Sequence, residues 1–395
     1  MTDCIRETVL VVDDERGPRD SLRMILSQSF EVRLAANAHE ALRVLQSEDV
    51  AFVTLDLDMP GMNGQDLMRR MHQEFPGTEI IIITGCGTVA SAAESVRFGI
   101  CDYLEKPFDV VKVGAAVARA MQRRRARQGM TSFLTELGKV VGRDKETAAI
   151  LEEVERSGRL RGRLSALLGD RSPADVVRAE EEELRTLDFL EVLAETIETK
   201  DRYMRGHGRR VSFYAGLLAE RVGLVGREQE WVRIGAFLHD LGKVGVPTDL
   251  LLREGALDPN ERRIVEEHPA IGARLVRPLG LSFDLTHAIR HHHEWWDGTG
   301  YPDGLAGEQI PYAARIVSIV DAFDAMSCDR PYRTALRREV VIGELERFAG
   351  VQFDPELAKE FVTLLESNAN DVDITLLAES APEGAESLAM PIRSS

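Results

Sequence analysis

Residues 291–302 read His291-His292-His293-Glu294-Trp295-Trp296-Asp297-Gly298-Thr299-Gly300-Tyr301-Pro302, and the C-terminal half of the chain is best read outward from them. Upstream stand His207, the pair His239-Asp240 and His268; downstream stands Asp321. Seven of the nine histidines fall between residues 207 and 293. Imidazole and carboxylate ligate first-row transition metals, and a carboxylate can bridge two of them. A set this dense suggests a two-metal hydrolytic site. Around it, residues 205–370 carry long amphipathic stretches with helical spacing, clearest over Val211–Val222 and Arg227–Leu238. A helical bundle can aim side chains from facing helices into one central metal site.

His239 and Asp240 are adjacent at the end of such a helix, and Asp240 has two oxygens to offer two metals. Lys243 follows one turn after His239, placed to neutralise an equatorial phosphoryl oxygen or a leaving alkoxide; an exposed helix residue is the alternative. No Ser or Cys nucleophile stands with a base partner, so direct attack by water is expected. Consecutive helical side chains diverge by about 100°, so His291, His292 and His293 cannot all face one small site; His292 and His293 are taken as the ligands.

The N-terminal half has a different pattern. Thr8–Val12, Val50–Leu55 and Glu79–Ile83 are β-rich and nearly uncharged, with Val32–Ala35 and Ile100–Leu104 as weaker strands. Arg19–Leu26 and Ala38–Leu45 between them have helical spacing. Buried strands alternating with helices predict an α/β doubly wound parallel sheet, whose site lies at the carboxyl ends of the strands. Asp13, Asp14, Asp56, Thr84 and Lys106 fall at those ends. Clustered oxygen ligands suit Mg²⁺, and a carboxylate beside it can attack a phosphoryl group.

Length and charge set limits. A chain of 395 residues should hold two or three domains, and 44% hydrophobic residues can fill their cores. A net charge of -17 disfavours non-specific binding to nucleic acid or an anionic membrane. Cys4, Cys86, Cys101 and Cys328 form no metal or redox spacing, no apolar run approaches a membrane span, and the opening residues have no signal-peptide core. A reduced, cytoplasmic protein is expected. Between the halves, Arg123–Arg127 is basic and Glu180–Glu183 acidic, each read as a solvated helix face. Gly129, Gly138, Gly142, Gly158, Gly162 and Gly169 argue against one continuous rod. Asp175–Thr199 is the best helix there, read either as a homodimer seam or as a helix packed on its own catalytic domain. Residues 371–395 read as a disordered tail.

Two resemblances sharpen this reading. Val11-Val12-Asp13-Asp14-Glu15, Asp56-Leu57-Asp58-Met59-Pro60-Gly61-Met62-Asn63-Gly64, Thr84-Gly85 and Lys106-Pro107-Phe108 resemble the receiver domain of two-component response regulators. The resemblance implies that Asp56 is the phosphoacceptor and that a sensor histidine kinase is a partner. It implies Mg²⁺ on Asp13, Asp14 and the Asp58 carbonyl, with Thr84 and Lys106 on the phosphoryl oxygens. Roughly 187–370 resembles the HD-GYP phosphodiesterases, a branch of the HD-type metal hydrolases with an all-α helical bundle. The resemblance rests on Gly206-His207 with Arg210-Val211, Leu238–Lys243, His268-Pro269 with Gly272, His292–Glu294, Asp297–Pro302, Asp321–Ala325 and Arg330–Arg333.

That second resemblance implies hydrolysis of cyclic di-GMP to pGpG or GMP, at two divalent transition metals, Fe or Mn. It splits the ligands into His207, His239, Asp240 and Asp321 for one metal, and Asp240, His268, His292 and His293 for the other. Arg330 and Arg333 match substrate-contacting positions, Tyr301 and Pro302 would wall the pocket, and Asp324 would contact substrate or orient a ligand. Where some relatives carry an extra carboxylate for a third metal, this chain has Tyr203. Two rivals stand beside this reading: a cyclic di-GMP-binding adaptor without turnover, and a phosphodiesterase for another cyclic dinucleotide. The expected organisation is a receiver over 1–122, a helical linker over 123–186, the phosphodiesterase over 187–370 and the tail over 371–395.

Overall fold

The computed structural model describes residues 6–60, 62, 64–85, 100–141, 179–198, 206–253, 255–328 and 334–367. They fall into two compact units, Met1–Gly129 with Leu164–Arg185, and Met130–Arg163 with Thr186–Ser395.

The first unit is built on five parallel strands in the order β2-β1-β3-β4-β5. They are β1 (Thr8–Val12), β2 (Glu31–Ala35), β3 (Val50–Leu55), β4 (Glu79–Thr84) and β5 (Asp102–Glu105). Successive side chains point to opposite faces. Leu10 and Val12 therefore pack with α2 (Ala38–Ser47) and α3 (Gly64–Glu74), while Val9 and Val11 pack with α1 (Arg16–Leu26) and α4 (Val110–Val141). This is the doubly wound sheet expected. β5 begins two residues later than read from sequence, its pairing with β4 starting at Asp102 opposite Ile81, although Cys101 N already donates to Ile80 O at 2.7 Å.

Two expectations about the linking region are corrected. α4 runs unbroken through Gly129 and Gly138. A helical glycine costs only about 0.5–1 kcal/mol against alanine, and the buried stripe Val113, Ala116, Val117, Ala120, Met130, Phe133, Leu137 and Val140 outweighs it. Nor is Arg123–Arg127 a solvated face throughout. Arg124 is buried; its guanidinium donates to Val50 O at 3.2 Å, Gly77 O at 2.8 Å and Asp49 Oδ2 at 2.6 Å, and Arg123 donates to Ile100 O. These arginines fasten α4 near the amino ends of β3 and β4, the edge opposite the acidic cluster. The glycines from Gly142 to Gly169 and the tail lie outside the described residues.

The second unit is helical. α5 (Ala179–Glu198) buries Phe189, Leu190, Leu193, Ala194 and Ile197, and Phe189 meets Phe133 of α4 edge-on at 5.8 Å. Its apolar face is thus covered within the chain, the packing alternative of the two readings. Then come α6 (His207–Arg221), α7 (Arg227–Leu238), a 3₁₀ turn over Leu241–Gly245, α8 (Thr248–Leu251), α9 (Pro259–Glu266) and α10 (His268–Val276). α11 (Phe283–His291), α12 (Tyr312–Ser327), α13 (Arg338–Arg347) and α14 (Pro355–Ser367) complete it. α6 and α12 form the core through Val211, Tyr214, Leu218, Ile316, Ile319 and Val320, with Phe361 of α14 against Tyr214 and Phe323. No helix among the described residues is long and apolar enough to cross a membrane.

Candidate metal centre and phosphoryl site

Seven side chains, six of them from helix ends, converge inside the second unit. His207 is the first residue of α6, His239 and Asp240 follow α7, His268 opens α10, His292 and His293 follow α11, and Asp321 lies on α12. Two close backbone approaches bring them together. A Cβ on Gly242 would lie 1.9 Å from His268 O and 2.5 Å from Gly272 N, so only glycine lets the 3₁₀ turn reach α10. A Cβ on Gly300 would lie 2.2 Å from Trp295 N, and the glycine loop is held by Glu294, which accepts from Asp303 N at 2.7 Å and Leu305 N at 3.0 Å.

The imidazoles are oriented from behind. Nδ1 of His239, His268 and His292 donates to Ala236 O, Val265 O and Ile289 O at 2.6, 2.8 and 2.8 Å. His207 Nδ1 donates to Asp324 Oδ2 at 2.7 Å. Each ring so fixed turns its Nε2 inward. His207 and His239 bring these atoms to 3.2 Å, and His268 and His292 to 3.3 Å. Nitrogen ligands about 2.0–2.1 Å from one ion lie roughly 3.0–3.4 Å apart, so both pairs have the spacing of ligands to a shared cation. The donors fit divalent metals. His207, His239 and Asp321 form one group within 4.8 Å, and His268, His292 and His293 another. Asp240 stands between them, Oδ2 3.5 Å from His239 Nε2 and Oδ1 3.3 Å from His268 Nε2.

The electrostatics match this use. Burial pushes His239 and His292 below the ordinary imidazole range and His293 down to about 3, which keeps them neutral, as ligation requires. Burial also acts against charge on His207, but Asp321 and Asp324 outweigh it and raise it to about 9. Metal-free, a proton on His207 takes the place of a cation. Burial opposes ionisation of Asp240, yet Lys243, at 2.5 Å from its Oδ2, and His239 hold it well below the usual carboxylate range.

Around these ligands stand the other residues singled out in the sequence. Asp324 is buried, with Arg210 Nε at 2.6 Å from its Oδ1 and His207 Nδ1 at 2.7 Å from its Oδ2, the geometry of the ligand-orienting alternative. His291 turns away from the centre, towards Glu294 and Asp303, at 3.7 and 3.5 Å from Nδ1. Tyr301 follows the glycine loop and its ring lies 4.9 Å from that of His293, at the edge of the centre. Arg330 and Arg333 lie outside the described residues. Arg253 shares with Asp240, Lys243 and Glu198 the wall of a cavity of about 300 Å³. Glu198 and Arg210 were missed as functional residues. Arg210 stood one turn after His207, a legible spacing; Glu198 gave only a carboxylate ending an apolar helix.

In the first unit, Lys106 Nζ bridges Asp56 Oδ2 at 2.5 Å and Asp13 Oδ2 at 2.8 Å. Asp13, Asp14 and Asp56 bring their oxygens within 4.8 Å, an all-oxygen set that fits Mg²⁺. Thr84 Oγ1 donates to Asp58 Oδ2 at 3.0 Å, and Asp58 N donates to Asp56 Oδ1 at 3.1 Å. Burial raises Asp13, with Lys106 pulling against it. A Cβ on Gly64 would lie 2.4 Å from Asp56 O, so glycine is required behind the acidic loop.

Comparison with known proteins follows the same division. Residues 9–118 match the response regulator receiver domain and residues 191–357 match the HD domain. A protein of Xanthomonas campestris pv. campestris named cyclic di-GMP phosphodiesterase response regulator RpfG is 31% identical over 88% of this chain and 85% of its own length. A cyclic di-GMP phosphodiesterase of Thermotoga maritima is 29% identical over 92% of each. A 3'3'-cGAMP-specific phosphodiesterase of Vibrio cholerae is 36% identical, over only 40% of this chain and 35% of its own length.

Proposed function

The chain belongs to the cyclic di-GMP phosphodiesterase response regulators, which join a receiver domain to an HD domain, and from that membership we propose that it hydrolyses cyclic di-GMP at the His/Asp centre under control of phosphorylation at Asp56. The observation that carries the chemistry is Asp240, whose two oxygens face two separate histidine groups. Two divalent ions, Fe or Mn, would be held by His207, His239, Asp240 and Asp321, and by Asp240, His268, His292 and His293. When bound, such a pair lowers the pKa of water towards neutrality and offsets charge on the phosphoryl group.

The chain's own residues do the rest. Asp324 fixes the tautomer of His207, and the three backbone carbonyls fix those of His239, His268 and His292. Lys243 lies beside Asp240, within reach of a phosphoryl oxygen or the leaving alkoxide. Tyr301 and Pro302 close one side, and Arg330 and Arg333 would pair with phosphate or stack on guanine. Water adds to phosphorus, the phosphorus–oxygen bond to the ribose breaks, and the departing oxygen gains a proton. Cleavage of one diester yields pGpG, and of both, GMP. In the receiver, Asp56 would take a phosphoryl group from a sensor histidine kinase, with Mg²⁺ on Asp13, Asp14 and the Asp58 carbonyl, and Thr84 and Lys106 on the phosphoryl oxygens.

The test is turnover by the full chain, loaded anaerobically with Fe²⁺ or Mn²⁺, with product analysis. Cyclic di-GMP should give pGpG or GMP. The Vibrio cholerae relative makes 3'3'-cGAMP the second substrate to assay; turnover of it alone would replace the substrate and keep the chemistry. Tight cyclic di-GMP binding with no product from fully loaded protein would make the chain an adaptor and overturn hydrolysis.

A further inference from the structure

α6 begins without a cap of its own. Its N-cap is Gly206, at φ +73°, which has no side chain to accept from the first amides. The first amides of a helix have no intrahelical partner and normally need one. Here the partner comes from another helix. Glu198, the last residue of α5, accepts from Gly206 N at 3.0 Å through Oε2 and from Gly208 N at 2.7 Å through Oε1. The two amides flank His207. The fit is close on both sides, since a Cβ on Gly208 would lie 2.8 Å from Glu198 Oε1 and 2.9 Å from Phe237 O. A carboxylate at this end also meets the positive end of the helix dipole.

We infer that Glu198 is a positioning residue for the metal centre: its carboxylate grips both amides beside His207 and so fixes where that ligand's Nε2 stands. Asp324 sets the tilt of the ring from one side, and Glu198 sets the backbone that carries it. α5 is suited to hold this position because Phe189 is braced on Phe133 and the apolar face between them is buried. A second tie, Arg209 to Glu195 and Glu191, joins the same two helices on an exposed surface without touching the amides. The inference rests on the two-metal reading above.

Mn²⁺ titration of the metal-free full chain under chelator competition tests it, read beside kcat and KM. Glu198→Gln keeps the shape but sets an NH₂ against one of the two amide donors. It should weaken one of two Mn²⁺ equivalents by about 10–100-fold, as loss of an outer partner does, and leave the other within about twofold. The parameter kcat should fall while KM holds. Glu198→Asp, charged but too short to reach both amides, should fall between Gln and the parent and guards against a misfolded Gln variant. Glu195→Ala, which removes the exposed tie to Arg209 and leaves Glu198 in place, should bind both ions like the parent. A Gln variant with lowered thermal stability but both affinities intact overturns the inference, as does equal weakening in Glu195→Ala. A parent that binds fewer than two ions overturns the two-metal reading itself, and this inference with it.

Discussion

His207 and His239, the first residue of one helix and the residue after the end of another, face each other nitrogen to nitrogen at 3.2 Å. Their environments push them apart: burial keeps His239 neutral, while Asp321 and Asp324 overcome burial at His207 and raise it to about 9. A metal on this pair must displace the His207 proton. Below about pH 9 each unit of rising pH removes that competition tenfold, so affinity at this group should climb about tenfold per unit and level off above it. In the other group burial holds His292 well below the ordinary imidazole range and His293 at about 3, so no proton competes at either of these two rings. Mn²⁺ titrations between pH 6 and pH 9 should show one steep and one nearly flat affinity; two parallel slopes would contradict the assignment.

Among the described residues, Asp240 is the carboxylate that addresses both groups. Asp240→Ala should lower the affinity for both ions and reduce turnover by at least about 10³-fold, roughly 4 kcal/mol in the barrier. Asp321→Ala touches one group and should remove one ion. Metal analysis of the two purified variants distinguishes them; one ion lost from each would mean that Asp240 does not bridge.

The sequence made the sheet and most of the ligand set legible because each carries a local signal. β1 and β3 are uninterrupted apolar runs ending in Asp13 and Asp56, and the histidines sit at ends of periodic helices. What escaped depends on partners far along the chain. The resemblance left Asp324 between contacting substrate and orienting a ligand, a choice that depends on Arg210 and His207, more than a hundred positions earlier, folding against it. Arg124 reads as one of a solvated run until Val50, Gly77 and Asp49 meet it. Gly129 and Gly138 look like breaks because intrinsic propensity says nothing of the apolar stripe that overrides it.

In the receiver, Asp56→Asn removes the attacking oxygen and the charge that Lys106 pairs with, but keeps the volume. With acetyl phosphate and Mg²⁺ the parent should take up one phosphoryl group per chain, and the Asn variant none, with an unchanged circular dichroism spectrum. Intact-mass measurement reads this directly. Stable label on the variant would mean another acceptor.

The close approach of the 3₁₀ turn to α10 makes a prediction that separates two glycines of the same contact. A Cβ on Gly242 meets backbone, His268 O at 1.9 Å and Gly272 N at 2.5 Å, and backbone cannot step aside. A Cβ on Gly272 meets the end of the Ile289 side chain at 2.9 Å and Gly242 N at 3.1 Å, contacts that a shift of a few tenths of an ångström would relieve. Overpacking typically costs about 1–3 kcal/mol, occasionally more. Gly242→Ala should fall at or above the top of that range and Gly272→Ala near the bottom, with Tm reductions in the same order at about 2–4 °C per kcal/mol. The chemistry should follow the packing. Gly242 stands two residues after Asp240, and the atom it would strike belongs to His268, so the clash pushes two ligands apart. Gly242→Ala should therefore lose metal affinity even at temperatures where it stays folded, and Gly272→Ala should keep it. Equal metal binding by both, measured well below either Tm, would show that the Asp240–His268 distance does not depend on this contact.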